Sequence, residues 1–366
     1  MKISQKTTAA YNTFQSVRFF GSLDGLRALS ILAVLWHHAM PLQDAVPIGQ
    51  RGFLGVDLFF VISGFLIPTL LLRERERWGA ISLAGFYWRR FLRIFPPYYL
   101  VLGVYAAIFL LLAQSGRAAT YWQELPFYLS YTSNWIDAEV FGIAWSLACE
   151  EQFYLLLPPL MILLSGRWLA VFGLFFLLLN QLVNFGVLDG VLATLIPNAE
   201  HLEVLQATFT PIVLGVFLAF LMNKPQGFFL VRAILGYRWS IVIIAIALLV
   251  FLMIPNDDIS GLHRLVIQML LTLLVGAAVV REDHGFAGFL QLAPLRRLGR
   301  VSYGVYLYHL LVLDFSLRLI SPNAPFYQAL LLMTVIILSW LVAEASFRFM
   351  EKPLLRLRGR IGSHPA

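Results

Sequence analysis

Arg27 and His38 stand eleven positions apart in an apolar stretch running from Leu23 to Met40. At 100° per residue, eleven steps make about three turns. A helix here puts both side chains on one face, about 16 Å apart along its axis. Ionisable groups inside a membrane helix are costly and face a protein interior or a wet cavity. The pair therefore marks a polar track that ends on a candidate general base. Only one of the adjacent histidines, His37 or His38, can share the Arg27 face, and the helical phase selects His38. The plainer reading is a snorkelling arginine and a hydrogen-bonded core histidine. Asp57 follows in Gly55-Val56-Asp57-Leu58-Phe59-Phe60. A carboxylate on one ring nitrogen fixes the tautomer and raises the basicity of the other, which builds a general base. If two antiparallel helices end at a common outer surface, imidazole and carboxylate sit level, roughly 6–8 Å below it. A structural Asp–His bond without chemistry is the alternative.

Three further groups of residues bear on chemistry. Arg89, Arg90 and Arg93 fall within one turn, just before Pro96-Pro97. Guanidinium forks match phosphates bidentately, so this is a candidate anion site. It reads equally as a topology anchor touching anionic lipid heads. Trp145, Ser146, Glu150, Glu151, Gln152 and Tyr154 occupy one short stretch. At least one of its acids should line a polar cavity, because a carboxylate in hydrocarbon is expensive. Ser302, Tyr306 and His309 recur at helical spacing beside Tyr303, as a reactive stripe or as interhelical glue. Cys149, the single cysteine, reads as a small core residue. Glu344 and Arg348, four apart, should pair.

The elements that position these residues follow from composition. Apolar residues make up 60% of the 366-residue chain and charged residues 13%, with mean hydropathy +0.78. Soluble domains carry about 25% charge. The chain is therefore predicted to be all-α, a polytopic membrane bundle of about ten transmembrane helices. The spans are near 24–42, 52–72, 95–114, 142–164, 168–186, 205–222, 239–255, 263–280, 301–320 and 327–349. Cations concentrate on one side of this pattern: Lys2, Lys6 and Arg18, then Arg73 to Arg93, Arg167, Lys224 to Arg238, Arg281 to Arg300, and Lys352 to Arg360. The other side holds Arg51, Arg117, Arg264 and the acids Asp44, Glu124, Asp137, Glu139, Asp189, Glu200, Glu203, Asp257 and Asp258. The positive-inside rule then places both termini in the cytoplasm. It also accounts for the net charge of +7 without nucleic acid. The first apolar stretch is too long for a signal peptide. Residues 1–22 read as a cytoplasmic segment, 23–353 as one membrane domain and 354–366 as a basic tail.

These motifs, in this order, resemble the acyltransferase 3 family of integral membrane O-acyltransferases. The matching residues are Arg27 with His38; Gly55 to Phe65; Arg89-Arg90-x-x-Arg93 with Pro96; and Trp145-Ser146-Leu147-x-x-Glu150-x-Gln152-Phe153-Tyr154. Ser302-Tyr303-Gly304-x-Tyr306-Leu307-x-His309 and Phe349-Met350-Glu351-Lys352-Pro353 complete the set. Together they span residues 20–355. The segment Thr208-Phe209-Thr210-Pro211 departs from the family pattern, being less polar. The resemblance implies a multi-pass protein of the bacterial inner membrane that moves an acyl group, most often acetyl, from acyl-coenzyme A to a hydroxyl. The donor is a co-substrate; no bound cofactor or metal is implied. The acceptor is expected to be a surface polysaccharide, a lipid-linked glycan or another small molecule. Arg89, Arg90 and Arg93 would hold the donor phosphates, with the pantetheine arm passing Arg27. His38, oriented by Asp57, would act as base or carry the acyl group, and Glu150 would line the acceptor side. Many relatives carry a further C-terminal SGNH-type hydrolase-like domain, and this chain is expected to represent the membrane domain without it. The competing reading is a secondary transporter or flippase, which favours broken helices and internal repeats. A non-catalytic scaffold for polysaccharide assembly is a third.

Overall fold

A computed structural model describes residues 5–17, 19–39, 47–195, 209–255 and 259–361. Several expectations fall outside them: Met40, Lys2, Arg18, Asp44, Glu200, Glu203, Asp257, Asp258, Thr208 and the last five residues of the tail. The described chain is helical, with no strand among the described residues. In chain order the helices are α1 (Gln5–Ser16), α2 (Gly21–Ala39), α3 (Pro47–Gln50), α4 (Leu54–Trp78), α5 (Leu83–Leu111) and α6 (Gly116–Leu129). Next come α7 (Ala144–Leu163), α8 (Gly166–Asn184), α9 (Asp189–Leu195), α10 (Phe209–Met222), α11 (Pro225–Leu235) and α12 (Ser240–Met253). The last are α13 (Gly261–Val280), α14 (Ala287–Leu290), α15 (Ala293–Arg300), α16 (Ser302–Leu319), α17 (Tyr327–Ser346) and α18 (Lys352–Leu355).

Each of the ten apolar stretches overlaps one helix among the described residues, α10 and α12 having 14 residues each. By length and hydropathy α4, α5, α8, α13 and the stretch Tyr327–Gly359 can each cross a membrane. Two bent pairs, one of them α10 with α11 at 111°, raise that count to seven. The remaining three of the ten are α7, α12 and α16. Polar motifs dilute the hydropathy of α7 and α16, and α12 is short, with 14 residues. This is a multi-pass all-α membrane protein.

The chain forms two compact units. Residues 1–77 and 210–340 make the first; residues 78–209 and 341–366 make the second. In the first, Leu23, Leu26, Leu58, Ile62, Phe65, Ile267, Leu271 and Val275 share one apolar core. Lipid offers helices no hydrophobic gain on association, so contact depends on small residues that let backbones approach. A Cβ at Gly64 would lie 2.1 Å from the Ile212 oxygen, and one at Gly215 would lie 2.4 Å from the Val61 oxygen. Only glycine lets α4 and α10 pack this closely. In the second unit the core is aromatic. Tyr98, Tyr121 and Tyr128 are fully buried, and each aims its hydroxyl at an acceptor: the Tyr128 carbonyl at 2.9 Å, the Leu102 carbonyl at 2.7 Å and Glu124 at 2.6 Å respectively. The expected Glu344–Arg348 pair is present in this unit.

Gly215 and Gly103 give opposite expectations. Nothing lies within 4 Å of a Cβ at Gly103, so Gly103→Ala should leave the melting temperature unchanged or raise it slightly, by about 0.5–1 kcal/mol of helix preference. Gly215→Ala should lower it, because forcing α4 and α10 apart costs about 1–3 kcal/mol. Thermal unfolding of both variants in detergent tests the contact, and an equal response would refute it.

Candidate active site

The α2 face that carries the candidate residues begins with Asp24, buried to 3% exposure. A buried carboxylate needs compensation, and it receives two cations. Arg300 Nε donates to its Oδ2 at 3.1 Å, and Arg27 lies 3.8 Å away at i+3. The approach of α15 depends on Gly299, whose Cβ would sit 1.8 Å from the Asp24 oxygen. Gly25 does the same toward Leu290. Arg27 is thus one arm of an ion cluster at the start of α2. Beside it Ser22 Oγ lies 2.9 Å from His284 Nε2, and Gln291 donates to Ser22 at 3.3 Å. Burial pushes His284 down to about 4, so it stays neutral at neutral pH.

Asp57 does not orient His38, contrary to expectation. Its carboxylate is 1% exposed and takes a bidentate fork from Arg264, with Nε at 3.0 Å and Nη2 at 3.1 Å. Gln268, one turn further along α13, adds a bond at 3.2 Å. A guanidinium fork is a stronger partner for a buried carboxylate than one imidazole nitrogen. The depth argument fails for a second reason. The chain folds back along α2 before α4 begins: a Cβ at Gly52 would meet the Ala33 oxygen, and one at Gly55 the Ser30 oxygen. Continued at the same antiparallel step, Asp57 falls near residue 28, roughly 15 Å from the level of His38. Arg51 fixes that return by donating to the carbonyls of Phe251, Leu252 and Ile254 at 2.8–3.1 Å.

His38 meets a different partner. Its Nδ1 bonds the Val34 carbonyl at 2.9 Å, and its ring centroid lies 4.9 Å from that of His309 on α16. His309 is fully buried, with Nδ1 on the Tyr306 carbonyl and Nε2 without a partner. His37 turns away toward Phe53, with centroids 5.6 Å apart. Ser302 is buried at the start of α16, Tyr303 is half-buried, and the Tyr306 ring lies 5.6 Å from that of His309.

The other motif residues belong to the second unit. Ser82 caps α5 by accepting from the Gly85 amide at 3.1 Å. Tyr87 donates to the Leu155 carbonyl at 2.8 Å, and the Arg90 guanidinium lies over the Tyr154 ring at 4.8 Å and over Phe86 at 5.6 Å. Glu151 and Glu150 on α7 both act electrostatically on Arg90. Arg89 is half-buried and Arg93 exposed. Gln152 is committed to structure: it exchanges amide bonds with Asn134 at 2.8 and 3.2 Å and donates to the Tyr131 carbonyl at 2.8 Å. Asn134 also reaches Cys149 Sγ at 3.4 Å, and Cys149 is a buried core residue as expected. Ser146 donates to the Ile143 carbonyl at 3.1 Å, and Trp145 is half-buried. The closing motif places Glu351 in a π-helical turn, buried, accepting from Ser346 at 3.2 Å.

Sequence reasoning missed Asp24, Gln268 and Asn134, and it placed Arg264 only as a stray outside cation. Asp24 carried a signal, its i,i+3 spacing to Arg27. Arg264 and Gln268, four apart on an apolar helix, carried another. No local pattern ties them to Asp57, 207 residues earlier.

The Asp57–Arg264 pair should dominate local stability. Asp57→Asn or Arg264→Gln should each cost about 3–5 kcal/mol, whereas Asp57→Leu with Arg264→Met together should cost far less. Additive losses in chemical unfolding would show that the two residues are not coupled.

With this geometry in place, comparisons with known proteins can be read. A family model described as an acyltransferase domain matches residues 20–344. A putative O-acetyltransferase of Staphylococcus aureus strain COL is 30% identical over 371 residues, covering 94% of this chain and 59% of the relative. The peptidoglycan O-acetyltransferase OatA of Listeria monocytogenes is 29% identical over 370 residues, covering 93% and 57%. The O-acetyltransferase OatA of S. aureus strain NCTC 8325 is 30% identical over 361 residues, covering 93% and 58%. The chain spans about three fifths of the length of these relatives. No solved structure matches. The motifs, the helical membrane architecture and the match across residues 20–344 place the chain in the acyltransferase 3 family.

Proposed function

We propose that this chain is a membrane O-acetyltransferase that moves an acetyl group from acetyl-coenzyme A to a carbohydrate hydroxyl. The observation that carries the reading is the tautomer of His38. A carbonyl only accepts hydrogen bonds, so the Nδ1 facing Val34 O carries the ring proton. The neutral ring then presents Nε2 as its basic atom. Nε2 takes the proton of the acceptor hydroxyl as the oxygen attacks the thioester carbonyl. The C–O bond forms, the C–S bond breaks, and the proton on Nε2 passes to the departing coenzyme A thiolate. The family supports acyl transfer, and the names of the Listeria and Staphylococcus relatives support acetyl and, in one case, a glycan acceptor. The bacterial inner membrane is the setting that fits a multi-pass chain with bacterial relatives.

Donor recognition falls to Arg89, Arg90 and Arg93 in this reading. Arg93, exposed on the first turns of α5, offers its fork to a phosphate, while Arg90 is braced by Tyr154. Arg27 supplies positive potential from its cluster with Asp24. Of the adjacent acids, Glu150 is assigned to the acceptor and Glu151 to balancing Arg90.

Purified protein in lipid should release free thiol from acetyl-coenzyme A in the presence of a glycan acceptor. His38→Ala should abolish release, a loss of about 10²–10⁴-fold, and His37→Ala should keep most of it. Equal loss in both variants, or an active His38→Ala, overturns the assignment. Calorimetry separates binding from chemistry. Arg93→Ala should weaken coenzyme A binding by about 1–3 kcal/mol, and Arg93→Lys should recover only part, since an ammonium cannot fork. Unchanged affinity would make the cluster a topology anchor alone.

A further inference from the structure

His309 has no part in the reaction as written, yet it is the residue that meets the base. Its exposure is 0%, its centroid lies 4.9 Å from that of His38, and the ring planes cross at 64°. Its Nδ1 stands on the Tyr306 carbonyl at 2.5 Å and therefore carries the proton. Its Nε2 has no hydrogen-bond partner. His38 has the same arrangement, with Nδ1 on the Val34 carbonyl. With both rings neutral, the two imidazoles sit side by side in one tautomer, each presenting an acceptor. Two acceptors cannot bond each other. A single added proton satisfies both, as an Nε2–H bond from one ring to the other of about 2.9 Å once the rings turn together.

Leaving a fully buried ring nitrogen open is unfavourable. Phenylalanine or leucine would fill the same space without that cost. Among the described residues neither imidazole hydrogen-bonds a carboxylate: Asp57 is held by Arg264 and Gln268, and Asp24 by Arg300 and Arg27. Among the described residues the His37 ring lies 5.2 Å from His38 and the Tyr306 ring 5.6 Å from His309. At His38 Nδ1, the place that a carboxylate holds beside many catalytic histidines is taken by the Val34 carbonyl, and a second imidazole lies beside the ring.

We propose that His309 is the positioning residue for His38: its Nε2 accepts the hydrogen bond of the imidazolium formed when His38 takes the acceptor's proton, and holds that proton until the coenzyme A thiolate receives it. This rests on the reading of His38 as base. The balance is one O–H broken, one S–H formed, and one proton held between two nitrogens in the interval. No oxidant, metal or further reactant enters.

Asparagine and glutamine separate this role from a structural one. At position 309, the asparagine amide reproduces the Nδ1–H donor toward Tyr306 but offers nothing at Nε2. The glutamine amide reaches further and places an acceptor oxygen near Nε2. Full-length wild type, His309→Asn, His309→Gln and His309→Phe are assayed in lipid for thiol release with acetyl-coenzyme A and a glycan acceptor. Coenzyme A calorimetry serves as the check on folding. His309→Asn and His309→Phe should lose about 10²-fold in kcat with donor affinity unchanged. His309→Gln should retain clearly more, and none of these changes should matter once His38→Ala is present. The proposal is overturned if His309→Asn turns over like wild type, if Asn and Gln variants fall equally, or if the loss appears in donor affinity. In each of those cases an active wild type with an inactive His38→Ala leaves the acetyltransferase reading intact. A wild type that releases no thiol overturns both.

Discussion

An apolar, membrane-spanning chain cannot leave a charge unmatched, and that constraint shapes the first unit. Ionised groups in such surroundings need partners with good geometry. Asp57 is closed by Arg264 and Gln268. Asp24 is closed by Arg300 and Arg27. Arg51 spends its donors on three carbonyls near the end of α12. With these charges satisfied, α2 is anchored near its start to α15 and along its length to the segment entering α4. What remains at the far end of α2 is the ring pair of His38 and His309. Catalysis in this account is therefore left to groups that can change charge during a cycle, while the permanent charges hold the frame.

That frame depends on glycine as much as on charge. Arg300 reaches Asp24 because Gly299 allows α15 to touch the α2 backbone. Asp57 lies beneath Arg264 because Gly52 and Gly55 let the returning chain run against Ala33 and Ser30. A methyl group at any of these places would separate the backbones and stretch an ion pair in a setting where stretched pairs are costly. Packing and electrostatics are one design here: close approach is what makes the buried pairs short.

Much of this was legible in the sequence, and the parts that were not share a cause. Helix positions followed from hydropathy, and the 3.6-residue period makes His38 rather than His37 the expected partner of Arg27 on one face. Both depend only on neighbours along the chain. The alignment of His38 with Asp57 did not follow, because it assumed that two helices end at one level. Instead the chain already runs back along α2 at Gly52, before α4 starts, and this shifts the register by about ten residues. The partner of Asp57 lies 207 positions away, and nothing local distinguishes Arg264 from a cation at a helix start. In the second unit, Gln152 was grouped with reactive residues by its company in a motif. Its tie to Asn134 shows a polar side chain spent on holding a turn. Register and distant pairing are tertiary facts, and a periodic pattern carries neither.

The central claim is that two neutral imidazoles, His38 and His309, both present a bare Nε2. The most direct measurement is nitrogen-15 NMR of histidine-labelled protein in lipid at neutral pH, with signals assigned by single His→Gln variants. The account predicts that both residues carry their proton on Nδ1 and none on Nε2. A proton on Nε2 of either ring in the resting protein would contradict it.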